Sequence, residues 1–364
     1  MVDKRVLALG LLTLVQLTFS GWHLVGNVCL TDDINPFVFA LYREFFASLL
    51  MLVLYLWLCH PGEVWKGLVY VRDTALFGED SRLFLFLGFC SYINVMGATW
   101  ALSITEPTIF AIFQPMIPCI ATAISIIAQF EPFNWWKFVG IATAVAGAVT
   151  VEVWKQGGHS GTGKHYNNEL GIAVICVQVT GCAFYLVFQK KILTKYHSTL
   201  VTFIYYSIGG CFTALSVAMY AIFADVSLAD MRLHDQVVPW LGVSYVVLFS
   251  TLYAWNAYTY ASKYLSPSIS TVFMSLQPPF TALLIYIFFA QVLSTPQIIG
   301  GLFVIAGMVL TVYGGDQDEG AEDGVKVGVV ESAREKQVDY GENRQQKEAL
   351  LKAQRNSDVS ASSV

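Results

Sequence analysis

Apolar residues run almost unbroken along this chain in stretches of spanning length, separated by short polar turns. About 20 apolar residues as helix cross a hydrocarbon core. The stretches predict ten membrane helices: 6–24, 36–59, 83–102, 107–130, 138–153, 170–188, 200–223, 237–258, 267–290 and 298–313. Residues 107–153 recur at 267–313 without a gap. Pro107 returns as Pro267, Pro118 as Pro278, Gly140 as Gly300, and Ala146 with Gly147 as Ala306 with Gly307. An internally duplicated, strongly apolar chain is the mark of a secondary transporter. Five helices per half is an odd number, so the second half must enter the membrane from the opposite side, as an inverted repeat. The expected fold is all-α, with a first repeat over 1–153, a connector over 154–168, a second repeat over 169–313 and a polar tail over 314–364.

Composition agrees with the bilayer as solvent. Charged residues make up 13% of the chain, where soluble domains carry about 25%. From residue 316 onward the tail holds 7 Lys/Arg against 11 Asp/Glu, and the rest holds 14 against 15. The acidic balance therefore belongs to the tail, which reads as disordered. Nothing in it points to nucleic acid. The 7 cysteines are odd in number and mostly sit in apolar runs, so they read as small buried hydrophobes. The first stretch resembles a signal peptide in outline, but its length and one-sided polar face favour a retained helix.

Cations set the orientation. With the N-terminus in the cytoplasm, the inner segments hold Lys4, Arg5, Lys66, Arg72, Arg82, Lys137, Lys190, Lys191, Lys195 and Lys263. The outer loops hold Lys155, Lys164 and Arg232. Both termini are expected in the cytoplasm, of a plasma membrane or an endomembrane alike.

Polar residues inside the spans supply the candidate chemistry, because a polar side chain facing lipid is costly. Gln16, Ser20, His23 and Asn27 share one helical face, and Gln178, Cys182, Tyr185 and Gln189 repeat that spacing in the sixth segment. Each stripe lines a solute path or holds the bundle together by interhelical hydrogen bonds. Pro118 and Pro278 fall near the bilayer midplane and are expected to break their helices, freeing the carbonyls of Gln114 and Met274. Each half thereby offers a glutamine beside the break, Gln114 in the first and Gln277 in the second, with the prolines as gates. Arg43 and Glu44 lie inside the second segment and point about 100° apart, so each needs a partner elsewhere. Arg43 suits an anionic solute group or a neighbour's carbonyls, and Glu44 suits a proton relay. Tyr253, Asn256 and Tyr260 share a face of the eighth segment, and Asn94 adds an amide in the third. The substrate-binding candidates are thus Gln16, Ser20, His23, Arg43, Asn94, Gln114, Gln178, Tyr185, Tyr253, Asn256 and Gln277.

Other chemistries are not supported. The run from Gly158 to His165 matches a phosphate-loop pattern, but has His where a hydroxyl should hold magnesium and lacks the strand context. Zinc signatures and catalytic triads are absent from the sequence, so neither an enzyme nor a cofactor nor a metal is expected. Gly140, Ala144 and Ala148 form a small-residue stripe that permits close helix approach, in a homodimer or within one bundle.

Three stretches resemble the EamA-domain branch of the drug/metabolite transporter superfamily. They are the run from Asn35 to Arg43, then Pro118 with Glu131, Gly140, Ala146 and Gly147, and then Pro278 with Gln291, Gly300, Ala306 and Gly307. The Tyr42–Arg43 element looks most like the plant nodulin-like exporters. The resemblance implies a five-plus-five inverted repeat that exports metabolites, amino acids or hormone-like solutes through a central cavity by alternating access. Gln291 stands where the family usually has Glu. The basic residues of the sugar-phosphate and nucleotide-sugar relatives are not evident in the ninth segment, which favours neutral or zwitterionic cargo. A nucleotide-sugar or sugar-phosphate antiporter is the alternative, and a non-transporting scaffold or receptor the alternative of another class.

Overall fold

A computed structural model describes residues 4–29, 35–105, 113–153, 168–223, 237–289, 295–315 and 317. Its elements are helical throughout the described residues. They are α1 (Lys4–Cys29), α2 (Pro36–Cys59), α3 (Val64–Arg72), α4 (Ser81–Ile104), α5 (Met116–Ile127), α6 (Trp135–Val153), α7 (Asn168–Leu193) and α8 (Ser198–Phe223). Then come α9 (Val237–Tyr264), α10 in two parts (Pro267–Val272 and Gln277–Phe289) and α11 (Thr295–Gly315). Eight of these are long and apolar enough to cross a membrane, and α5 and α6 are shorter apolar helices. The chain divides into two units, residues 1–313 and 314–364.

Helix starts follow from local chemistry. Asn35 caps α2, its Oδ1 accepting from Phe37 N at 2.9 Å, and Pro36 fills the first position, where no N–H is needed. Ser266 and Pro267 repeat the device at α10. The helix α3 falls in a connector that the hydropathy pattern leaves without a helix. It carries exposed Val64, Trp65 and Tyr70, as suits a membrane interface.

The core is built where α4 packs on α7 and α8, α2 on α8, and α1 on α9 and α10. Ala8, Leu12 and Val15 of α1 are fully buried in it, so the first apolar stretch is a working part of the bundle. The small-residue stripe is spent inside the chain. A Cβ built on Gly140 would lie 2.7 Å from the carbonyl oxygen of Gly307, and one on Gly147 would lie 2.5 Å from that of Gly300. The numbering falls on α11 as it rises on α6, so these two helices run antiparallel in contact. Any side chain larger than hydrogen at these positions forces them apart.

Two departures from α geometry bear on function. Between Pro267–Val272 and Gln277–Phe289 the chain tightens to a 3-10 turn at Phe273–Leu276. Within α9, Val246–Trp255 is π-helical.

Candidate solute-binding site

The helix breaks sit a turn before the midplane prolines. Pro118 is third in α5 and Pro278 second in the long part of α10, where a missing N–H costs little. The carbonyls expected to be free are taken. Ile117 N donates to Gln114 O at 3.0 Å, and Gln277 N donates to Met274 O. These two bonds are the same bond 160 residues apart, so the duplication extends to backbone hydrogen bonding.

Beside each break a glutamine reaches into the other half. Gln277 Nε2 donates to Gln16 Oε1 of α1 at 2.9 Å. Gln114 Nε2 donates to Gln178 Oε1 of α7 at 3.0 Å. The Ser20 hydroxyl lies 2.8 Å from Gln16 O and 3.0 Å from Gln277 O, tightening the first cluster. Gln16 and Gln178 are both buried. The polar stripes therefore meet protein, each at its first residue.

The clusters differ in completeness. Gln178 Nε2 donates onward to Asn94 Oδ1 at 2.7 Å, joining three amides. Helix α9 carries the amide of Asn256. Its Nδ2 turns back to Leu252 O at 2.7 Å, and its Oδ1 is buried without a partner. Gln16 Nε2 is likewise buried without a partner. Helices α1 and α9 pack together, so an unused donor and an unused acceptor occupy neighbouring helices.

Arg43 is buried and bonded to hydroxyls, with Nη2 3.0 Å from Tyr206 OH and Nε 3.4 Å from Thr251 Oγ1. It ties α2 to α8 and α9 through side chains rather than carbonyls. Glu44, next in sequence, is fully buried and bonded to nothing.

Tyr185 is fully buried in an aromatic layer. Its hydroxyl donates to Tyr205 OH at 2.6 Å, and its ring packs on Trp255. In this conformation it is packed rather than open to solute. Tyr253 stands apart on an exposed face. The π-helical stretch ends two residues after it, so a 3.6-residue period carried from Tyr253 to Asn256 and Tyr260 misplaces it. The His23 and Asn27 side chains, the Gly158–His165 run and Gln291 lie outside the described residues. Among the described residues no group of three His, Cys, Asp or Glu could hold a metal.

The layer lies toward the end where the cations meet their partners. Lys190 Nζ donates to the carbonyls of Ser262 (3.0 Å) and Leu265 (2.6 Å) at the end of α9. Lys4 lies over the Tyr264 ring, and Lys195 pairs with Asp80 at 2.9 Å. Burial and then the Lys263 ammonium push the His197 imidazole below its ordinary value, which suits it to accept from Thr199 N at 3.3 Å.

One junction was not foreseen as a polar centre. Glu131, in the turn between α5 and α6, accepts from Lys137 Nζ at 2.8 Å, Ser125 Oγ at 3.0 Å and Ser268 N at 2.9 Å. It thereby pins the first half to the start of α10. A carboxylate and a lysine flanking a short turn between apolar helices is the sequence signal for it.

Comparison with known proteins agrees with this architecture. The chain is 24% identical over 355 residues to Protein WALLS ARE THIN 1 of Arabidopsis thaliana, covering 87% of this chain and 85% of that protein. A WAT1-related protein of the same plant is 22% identical over 348 residues, covering 87% and 84%. An uncharacterized transporter of Bacillus subtilis, YdfC, is 20% identical over 230 residues, covering 62% and 68%. A crystal structure superposes with a TM-score of 0.64 at 14% identity, over 86% of this chain and 98% of that one, a likeness of fold. The EamA-like transporter family matches residues 6–152 and 169–313, both halves of the helical body, and the chain belongs to that family.

Proposed function

We propose that this chain is a ten-helix transporter of two inverted five-helix repeats that moves small neutral or zwitterionic organic solutes by alternating access. One observation carries the reading: each half sends a glutamine from beside its helix break to the first helix of the other half, and one of the two clusters keeps an unused donor, with an unused acceptor on the neighbouring α9. Gln16 Nε2 suits a solute carbonyl or carboxylate, and Asn256 Oδ1 suits an ammonium, hydroxyl or amide N–H. Gln277 and Ser20 hold Gln16 in place, while Asn94, Gln114 and Gln178 form the closed counterpart. The antiparallel contact of Gly140 with Gly307 and of Gly147 with Gly300 supports the inversion. The aromatic layer at Tyr185 and the Lys190 contacts support a state sealed at the end carrying the inner cations, which we assign to the cytoplasm. Arg43, spent on Tyr206 and Thr251, gives less support to phosphorylated cargo.

The test is a thermal-shift screen of purified wild type and Gln16→Leu against a metabolite library, followed by uptake into proteoliposomes. Neutral or zwitterionic solutes should stabilise wild type and not the variant, and the same solutes should be taken up. Sugar phosphates or nucleotide sugars as the sole hits would move the assignment to the antiporter reading. A protein that binds solutes but moves none would be a receptor.

A further inference from the structure

We propose that Glu44 is a proton-binding carboxyl at the junction of α2, α4 and α8, and that its protonation sets how α2 packs on α8. Its use as the coupling ion of a transport cycle rests on the proposed function; the proton site itself does not.

Glu44 is the ninth residue of the 24-residue α2, well inside the apolar span. It is 0% exposed, and both carboxyl oxygens lack a hydrogen-bond partner. The wall opposite is glycine. A Cβ built on Gly209 of α8 would lie 3.6 Å from Glu44 Oε1, and one on Gly210 would lie 3.6 Å from Glu44 Cβ. The same Gly209 position is 3.3 Å from Gly88 O and 3.5 Å from Tyr92 N, so α4 closes the junction. Mid-helix backbone N–H groups there are committed to their own helices and offer the carboxyl nothing.

The charged and titratable surroundings are few. Arg43 on the same helix is turned to Tyr206 and Thr251. From α8, Tyr206 is the titratable neighbour, and its hydroxyl is engaged with Arg43. Thr213, one turn beyond Gly209, presents a hydroxyl toward Glu44, yet that hydroxyl also forms no hydrogen bond. From α4, the Tyr92 hydroxyl is bonded to Ser216 at 2.7 Å. From α9, Thr251 faces Arg43. The contact of α3 is at the other end of α2, where Gly67 meets Leu56 and His60.

An ionised carboxylate buried without donors carries a large desolvation cost, and the group neutralises instead. In the arrangement seen here Glu44 therefore carries its proton. A shift of α8 along α2 that aligns the Thr213 hydroxyl, or turns the guanidinium of Arg43, onto the carboxyl stabilises the ionised form and lets the O–H bond break, the proton leaving to water. Two glycines on α8 make such sliding sterically cheap. Protonation and helix packing are thus linked, each favouring its own partner state.

The experiment uses the full chain in lipid nanodiscs, with protons as the sole ligand. Infrared difference spectra between acidic and alkaline buffer should contain a protonated-carboxyl C=O band that vanishes in Glu44→Gln and moves in Glu44→Asp. Hydrogen exchange of α2 and α8 amides, corrected for the intrinsic pH dependence, should change between the two buffers in wild type and stay constant in Glu44→Gln. Glu44→Gln keeps the shape and is neutral, and its helix content and elution profile check that it folds. A wild-type spectrum without a Glu44-dependent band overturns the proton site. A band with unchanged α2 and α8 exchange overturns the packing link. Neither readout needs a transported solute, so failure of the transport reading is seen separately.

Discussion

Glu131 and Glu44 are both buried carboxyls in the same helical body, and their surroundings are opposite. Glu131 accepts from an ammonium, a hydroxyl and a backbone N–H, and its oxygens are fully used. Glu44 has no hydrogen bond and faces glycine. The first arrangement is how a protein holds an ionised carboxylate away from water: as part of the frame, joining two halves at a helix start. The second is stable as a neutral acid and holds nothing together. The amide clusters repeat the contrast. Gln178 with Gln114 and Asn94 is complete, whereas Gln16 with Gln277 has a donor to spare and Asn256 an acceptor. In these two pairs, the satisfied member holds helices together and the unsatisfied member leaves polar atoms free.

The largest expected effect falls on Glu131. Glu131→Ala breaks the buried ion pair with Lys137 and uncaps the start of α10, so we expect a loss of about 3–5 kcal/mol. Glu44→Gln should cost under about 1 kcal/mol, because a neutral group replaces a neutral group. Thermal unfolding in one detergent ranks the two. Equal losses would break the contrast between frame and binding site.

The amides should rank in the same way at smaller scale. Gln178→Leu leaves Asn94 and Gln114 without their partner and should cost about 1–3 kcal/mol. Gln16→Leu removes one acceptor from Gln277 and a donor that was already unpaired, so its stability loss should be smaller. Its solute-dependent thermal shift should vanish, whereas Gln178→Leu should keep one. A reversed order of stabilities would remove the argument that the Gln16 cluster is the open one.

Orientation sharpens the comparison without touching stability. Gly158→Cys should react with an impermeant thiol reagent from the side opposite to Lys191→Cys, each on a background that lacks the native reactive cysteines. Equal labelling of both from one side would remove the two-fold relation between the clusters, and with it the reason to match Gln16 to Gln178.

Much of this was legible in the sequence because duplication writes itself twice. The small-residue stripe marked α6 for close helix approach without naming its partner, and the repeated prolines marked the regions of the helix breaks. Buried polarity in apolar runs singled out Gln16, Gln178 and Arg43, since such residues must find partners. What stayed illegible depended on geometry between distant segments. The sequence places Glu131 at a turn but not against Ser268, 137 residues away. It places Glu44 beside Arg43 but does not say that Arg43 is engaged elsewhere. The π-helical stretch in α9 has no periodicity signal, so Tyr253 was grouped with Asn256 on a face it does not share. The prolines were read as mid-helix breakers, because hydropathy shows one continuous run where the chain makes a turn and restarts.

That restart yields the prediction with the smallest effect on stability. Alanine at 118 or 278 restores an N–H that can reach Gln114 O or Met274 O, the carbonyls now held by Ile117 N and Gln277 N. Either substitution lets the helix extend backward through the break, and alanine is a strong helix former. Pro118→Ala and Pro278→Ala should each leave unfolding within about 1 kcal/mol of wild type, since one hydrogen bond is gained and none lost. Gln114 and Gln277 would then sit on continuous helices, and the turn that lets them pivot would be stiffened. Uptake by either variant should therefore fall below wild type at matched amounts of reconstituted protein. Wild-type rates in both would leave the prolines as helix starters only, and would move the gate away from the two breaks and onto the aromatic layer at Tyr185.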